Sequence, residues 1–326
     1  MSLSPADLAD HTTIVLHTLC RLGEHYFACG HLDRSVQVLA AGHDLVSILD
    51  CPARPTTELL ITYGCMLTWH ASLTTGAYAP ALDVLQHAVD LAQTLHQPLV
   101  LALALDRFGF GCYQQALTSA TGDFTAARNA FAQALALRAA HPDQQALCQS
   151  RLHLGLIAER EQRFADAEAT FKDVYQLAQH YTFEAEQGEA TRHLGFAALR
   201  ADHRDTALRL FQEALALTEK SGNRLFLPFA HLAVGEVLQL QHAYDQAQQH
   251  YHTAYQLAEA MQVERAAVQL LYSLGELAED QQQQSQARAY YAAAYTRAKA
   301  IDFVLGAHML AAKLEQLAHP VADRNE

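Results

Sequence analysis

Three arginines, Arg160, Arg192 and Arg200, stand near two glutamates, Glu159 and Glu189, in the middle of the chain. Guanidinium groups brought together suit a carboxylate or a phosphate, which they grip through paired N–H donors. The same neighbours also permit ordinary surface pairs with the glutamates, worth about 0–1 kcal/mol each. Nineteen histidines raise metal or acid–base chemistry. His250 and His252, two apart on a predicted helix, point away from each other, and no His-Glu-x-x-His stretch occurs. His153 and His193 occupy equivalent positions in consecutive copies of a repeat and could approach one another, although solvated or core-edge rings are the simpler reading. Six cysteines, at 20, 29, 51, 65, 112 and 148, form no Cys-x-x-Cys pair and read as free thiols buried in a reducing cytosol. No catalytic motif, metal site or cofactor is expected.

These residues sit in a repeat that must position them. Gly155, Gly195, Gly235 and Gly275 recur at one constant interval, which Ala167, Ala207, Ala247 and Ala287 share, as do the aromatics Phe171, Phe211, Tyr251 and Tyr291. Phe164, Ala167, Phe171, Val174 and Leu177 share one face of a helix B, and an antiparallel helix A, about 149–161, packs on it. Glycine inside a helix costs about 1 kcal/mol relative to alanine, so its return at four equivalent sites requires a packing reason. Hairpins are expected at about 10–49, 56–96, 98–140, 144–180, 184–220, 224–260 and 264–300, with a capping helix at 303–318 and a disordered tail at 319–326. In the second and third hairpins the glycines lie further upstream of the turn alanine, so their first helices and turns are longer by one helical turn, ~3.6 residues. No composition break separates the hairpins, which predicts one domain over 1–318.

Composition narrows the function. Hydrophobic residues make up 51% of the chain, enough for a large core. A net charge of −13, from 22 basic and 35 acidic residues without a basic run, argues against nucleic-acid binding, which depends on Lys and Arg neutralising phosphates. The most apolar run, Pro98 to Leu105, is too short to cross a bilayer, and with the first basic side chain at Arg21 no secretory signal is expected; both point to the cytoplasm.

The pattern resembles the tetratricopeptide repeat (TPR), met at Leu154, Gly155, Ala158, Ala167 and Phe171, with Val174 as a departure. It recurs at Leu194, Gly195, Ala198, Ala207, Phe211 and Ala214; at Gly235, Ala247, Tyr251 and Ala254; and at Leu274, Gly275, Ala278, Ala287, Tyr291 and Ala294. The period, about 40 residues against the usual ~34, is similar to that of the long-helix repeat domains of bacterial peptide-sensing and maltose-type regulators. No helix-turn-helix or nucleotide-binding loop accompanies it. The resemblance implies an all-α fold, a right-handed α-solenoid of about seven hairpins, with a ligand groove lined by the A helices. It places Trp69, Phe108, Glu159, Arg160, Glu189, Arg192, Phe196, Arg200, Phe229, Glu236, Tyr272 and Glu276 in that groove, apolar in its first half and charged in its second. The family's chaperone-tail clamp requires Lys and Asn where this chain has Leu152, Leu156 and Phe196, so that function is rejected.

The expected role is a non-enzymatic scaffold or regulator that holds a protein or peptide segment in the groove. The alternative is a small-molecule sensor or enzyme with an apolar pocket in the enlarged hairpins, around Trp69, Phe108 and Tyr113. Homo-oligomerisation through an end hairpin is a third option.

Overall fold

The computed structural model describes residues 4–74, 76–118, 122–141 and 143–318; the expected tail at 319–326 lies outside the described residues. Among the described residues there are fifteen α-helices and no strand, paired as the hairpins of a right-handed α-solenoid. Hairpin one is α1 (Pro5–Ala28) and α2 (Leu32–Ile48), hairpin two α3 (Ala53–Leu73) and α4 (Ala79–Thr94), hairpin three α5 (Pro98–Thr118) and α6 (Thr125–Ala139). The regular copies follow as α7 (Gln144–Arg160) and α8 (Phe164–Tyr181), α9 (Glu184–Arg200) and α10 (Arg204–Lys220), α11 (Leu227–Leu240) and α12 (Tyr244–Ala260), α13 (Glu264–Asp280) and α14 (Gln284–Ala300). A 3-10 turn, Arg224–Phe226, precedes α11, and α15 (Val304–Ala318) closes the stack.

Helix α1 starts earlier than periodicity predicts, at Pro5 rather than about residue 10, because its capping residues lie upstream of the apolar pattern. Ser4 and Asp7 exchange backbone and side-chain hydrogen bonds at the start of α1, and the Asp143 carboxylate accepts from Ala146 N at 3.0 Å at the start of α7.

The recurrent glycine has a direct packing cause. A Cβ on Gly155 would lie 2.7 Å from the Phe171 ring, on Gly195 2.6 Å from Phe211, on Gly235 2.5 Å from Tyr251 and on Gly275 2.4 Å from Tyr291. Each ring is buried and lies directly on the glycine backbone of its partner helix. Glycine at these sites therefore exchanges helix propensity for ring contact.

Left-handed turns keep the same rhythm. Gln162, Thr182, Asp202, Gly222, His242, Gln262, Gln282 and Asp302 stand one to each successive turn, all with φ between 53° and 73°. At most of these turns the next amide reaches back into the helix just ended, as Arg163 N to Ala158 O at 2.9 Å and Gln283 N to Ala278 O at 2.8 Å, satisfying a carbonyl at the helix end. Gln282 and Gln283 thus form the turn between α13 and α14.

Hairpins two and three break the rhythm. Helices α3 and α5 are 21 residues long, against 17 in α7, α9 and α13. Gly64 packs on Leu85 and Gly109 on Phe131, each separated from its partner by more than a helical turn beyond the regular spacing of Gly155 and Phe171. The insertion therefore follows the glycine, extending the C-terminal ends of α3 and α5.

The extended α3 meets the far end of the stack. Trp69 packs edge-on against Phe226 with ring centroids 4.9 Å apart, and Phe27 lies 6.1 Å from Trp69. Leu32 and Leu73 share a buried cluster with Leu225, Ala233 and Ala266. Gly30, at φ +83°, leaves room for Met261, whose Sδ would lie 2.6 Å from a Cβ there. The superhelix consequently closes: hairpins one and two join hairpins six and seven along an apolar seam.

Candidate ligand-binding bore

Closure converts the expected open groove into a bore with a cavity of about 1210 Å³. Its wall takes side chains from hairpins two to seven and from α15. Of the groove residues expected from sequence, Trp69, Glu159, Arg160, Glu189, Arg192, Phe196, Arg200, Phe229 and Tyr272 line this cavity. Phe108, Glu236 and Glu276 are not in its wall. Phe108 packs against the buried cluster of Leu60, Ile61 and Leu105, while Phe110, two residues on, faces the cavity. Two helical residues differ by about 200° in direction, so this displacement is one of register.

The expected division into an apolar first half and a charged second half becomes a different layout. Trp69 meets Phe110 of the adjacent hairpin at 4.8 Å, and ring closure adds Phe226 at 4.9 Å, so hairpins two, three and six share one aromatic patch. Phe303, Met309 and Leu310 add apolar wall from the end of the chain, where the repeat pattern predicts only a cover. The charged groups concentrate on α7 and α9, in the middle of the chain.

There the glutamates engage two of the three arginines. Glu159 accepts from His193 Nδ1 at 2.7 Å and from Arg200 Nη1 at 2.8 Å. Glu189 accepts from Arg192 at 2.5 and 3.2 Å, and His193 Nε2 lies 3.0 Å from Arg192 Nη2 and 3.3 Å from Glu189. Burial opposes ionisation of Glu159, but the His193 and Arg200 bonds override it and hold the carboxyl down at about 2. Burial likewise opposes Glu189, and Arg192 with His193 holds it well below the usual carboxylate range. Both are therefore anions at neutral pH. Arg200 also covers the Phe164 ring at 4.5 Å and Arg192 the Phe196 ring at 5.4 Å.

Arg160 is different. Its Nε donates to the Tyr113 hydroxyl at 3.3 Å, and among the described residues no carboxylate pairs with it. Burial pushes the Tyr113 phenol up, partly offset by Arg160, so it keeps its proton.

Glu236 and Glu276 lie on the neighbouring A helices α11 and α13. Burial, with repulsion from Glu276, raises the Glu236 carboxyl to about 7. Glu276 accepts from the Tyr272 hydroxyl at 2.8 Å and lies 3.5 Å from Lys313 of α15.

The equivalent histidines do not pair with each other. His153 stacks on Phe131 at 4.6 Å and meets Asp106 at 3.1 Å; His193 stacks on Phe171 at 4.7 Å and meets Glu159. Each takes a ring and a carboxylate from the preceding hairpin. Asp106, fully buried, also sits 3.2 Å from Arg138 and 3.3 Å from Arg107. This knot is absent from the sequence expectations, although an Asp ending the most apolar run of the chain was its signal. All six cysteines are free; Cys148 is buried and the others are half-buried. Among the described residues no group of three or more His, Cys, Asp or Glu could hold a metal ion, and no helix is long and apolar enough to cross a membrane.

The sequence matches no family model and no curated protein. Solved structures share the fold. A Rap protein complexed with Competence and Sporulation Factor aligns over 94% of this chain and 98% of its own, with 10% identity and a TM-score of 0.58. Aspartyl phosphate phosphatase F from Bacillus subtilis aligns over 98% and 95%, with 11% identity and a TM-score of 0.54. A signal-transduction ATPase with a tetratricopeptide-repeat sensor, from Pyrococcus horikoshii, aligns over 88% of this chain and 42% of its own, with 14% identity and a TM-score of 0.53. The chain has a TPR-like helical-repeat fold.

Proposed function

We propose that this chain is a non-enzymatic scaffold or regulator that takes an extended peptide or protein segment into its bore. The observation that carries this reading is the cavity itself, in which an aromatic patch adjoins a charged wall inside a closed superhelix. At about 1210 Å³ it exceeds the ~300–1,000 Å³ usual for small-molecule pockets. An extended segment suits such a bore, with side chains for the rings and backbone or charged groups for the polar wall. The Rap protein of similar fold, itself complexed with Competence and Sporulation Factor, lends support.

The test is retention of a synthetic octapeptide library by the native chain and by Leu117→Trp. Leu117 is an exposed cavity-wall residue near the end of α5, so the larger ring fills the bore without entering the core. Retention by the native chain and its loss in the variant, with unchanged helicity, is expected; equal retention by both removes the bore as the site.

A small-molecule sensor or enzyme is the second reading. The enclosure of Trp69, Phe110 and Tyr113 favours it, and fold does not decide against it, since a similar structure is an aspartyl phosphate phosphatase. Binding of small apolar molecules, with no peptide retained, would support that alternative.

A further inference from the structure

We propose that the bore contains a carboxylate subsite, built from the Arg160 guanidinium and the Tyr113 hydroxyl, which receives an anionic group of a peptide ligand. The inference rests on the peptide reading and names the chemistry its ligand must carry.

Among the three arginines of α7 and α9, hydrogen-bond accounting singles out Arg160; Arg265 of α13, also in the cavity wall, lies over the Phe303 ring at 4.3 Å. Arg192 spends two nitrogens on Glu189 and Arg200 spends one on Glu159, whereas Arg160 uses Nε alone, toward Tyr113. Its two terminal nitrogens have no partner among the described residues, and the side chain lines the cavity. The Tyr113 oxygen accepts from Arg160, which leaves its own O–H to donate. Two guanidinium N–H groups and a phenol O–H beside one another match the oxygens of a carboxylate.

Charge selects the same class. On α7 and α9, Arg160, Arg192 and Arg200 outnumber Glu159 and Glu189 by one, and Arg265 of α13 adds a further positive charge to the wall, in a chain of net −13. A net positive wall attracts an anion, and the ionised Glu159 near Tyr113 disfavours a phosphate dianion relative to a carboxylate at this subsite. Beside the subsite, Tyr113 continues into Phe110 and Trp69 along the cavity wall, so the residue next to the carboxylate is expected to be apolar and bulky.

The carboxylate has two sources, a peptide C-terminus or an Asp or Glu side chain. The experiment compares octapeptide libraries made as free acids and as C-terminal amides, each with Asp and Glu present or replaced by Asn and Gln. Retention by the native chain, Arg160→Gln and Tyr113→Phe is read by mass spectrometry. Free acids retained roughly tenfold better than amides identify a terminal carboxylate; acidic amides retained over their Asn and Gln counterparts identify a side chain. In either case Arg160→Gln abolishes the preference and Tyr113→Phe weakens it, while helicity stays native. Equal retention of all four libraries, or a preference unchanged in Arg160→Gln, overturns the subsite and leaves the peptide reading standing. Retention of none overturns both. Inorganic phosphate competing better than acetate at equal concentration overturns the assignment to a carboxylate.

Discussion

Hairpins four to seven and hairpins two and three use the same contact at different lengths. In the regular copies a glycine meets an aromatic ring on the next helix at one fixed spacing, as Gly155 meets Phe171; in the enlarged pair, Gly64 with Leu85 and Gly109 with Phe131, the spacing is longer and the added turn projects beyond the glycine. The regular copies set the path of the superhelix, and the added turn carries Leu73 into the buried cluster shared with hairpins six and seven. Architecture thus resides in the repeated positions and enclosure in the exceptional ones. Cohesion differs in degree: the junction of hairpins three and four carries a fully buried ionic knot at Asp106, whereas at the junction of hairpins four and five the Glu159 network is less deeply buried.

That contrast breaks most sharply at the knot. Replacing Asp106 with alanine leaves Arg138, itself 2% exposed, without its buried counter-charge, and should cost about 3–5 kcal/mol in denaturant unfolding. A loss below ~1 kcal/mol would show that the ionic junction holds nothing. The regular region is probed next by Gly275→Ala, whose methyl group would lie 2.4 Å from the Tyr291 ring; a loss of about 1–3 kcal/mol is expected from overpacking. Gly188→Ala is its control, since the nearest atom would be 3.2 Å away and helix propensity favours alanine; its stability should stay within about 1 kcal/mol of native. Equal losses at the two sites would remove the ring contact as the reason for the repeated glycine.

The smallest effect is pH-dependent and belongs to Glu236. Its folded carboxyl is raised from 4.5 to about 7, so the unfolded chain ionises first as pH rises and the folded state is penalised progressively through that window. Glu236→Gln should therefore stabilise by about 1–2 kcal/mol at pH 8, allowing for partial solvent screening, and change little at pH 4. Glu159 has the opposite sign: held at about 2, it contributes stability above 4.5 that is lost as pH falls toward 2. A Glu236→Gln effect independent of pH would contradict the burial argument.

The fold was legible because hairpin packing repeats, so Gly155, Ala167 and Phe171 carry the same signal as their copies. The extra turn of hairpins two and three was legible as a change in spacing. The seam was not, since Trp69 and Phe226 come from hairpins at opposite ends of the stack and meet once, which leaves no period to read. Without the seam, Trp69 and Phe229 read as opposite ends of a groove rather than parts of one cavity. The displacement of Phe108 by Phe110 arose where the irregular spacing left helix register uncertain. Arg160, Arg192 and Arg200 were identified by type and position, but which arginine stays unpaired depends on side-chain geometry that spacing does not encode.

Closure of the superhelix is the claim on which the bore depends, and small-angle X-ray scattering of the ligand-free chain tests it most directly. A profile that fits the closed ring, with the Trp69 seam joined to Phe226, is expected. A longer maximum dimension and the profile of an open superhelix would contradict it.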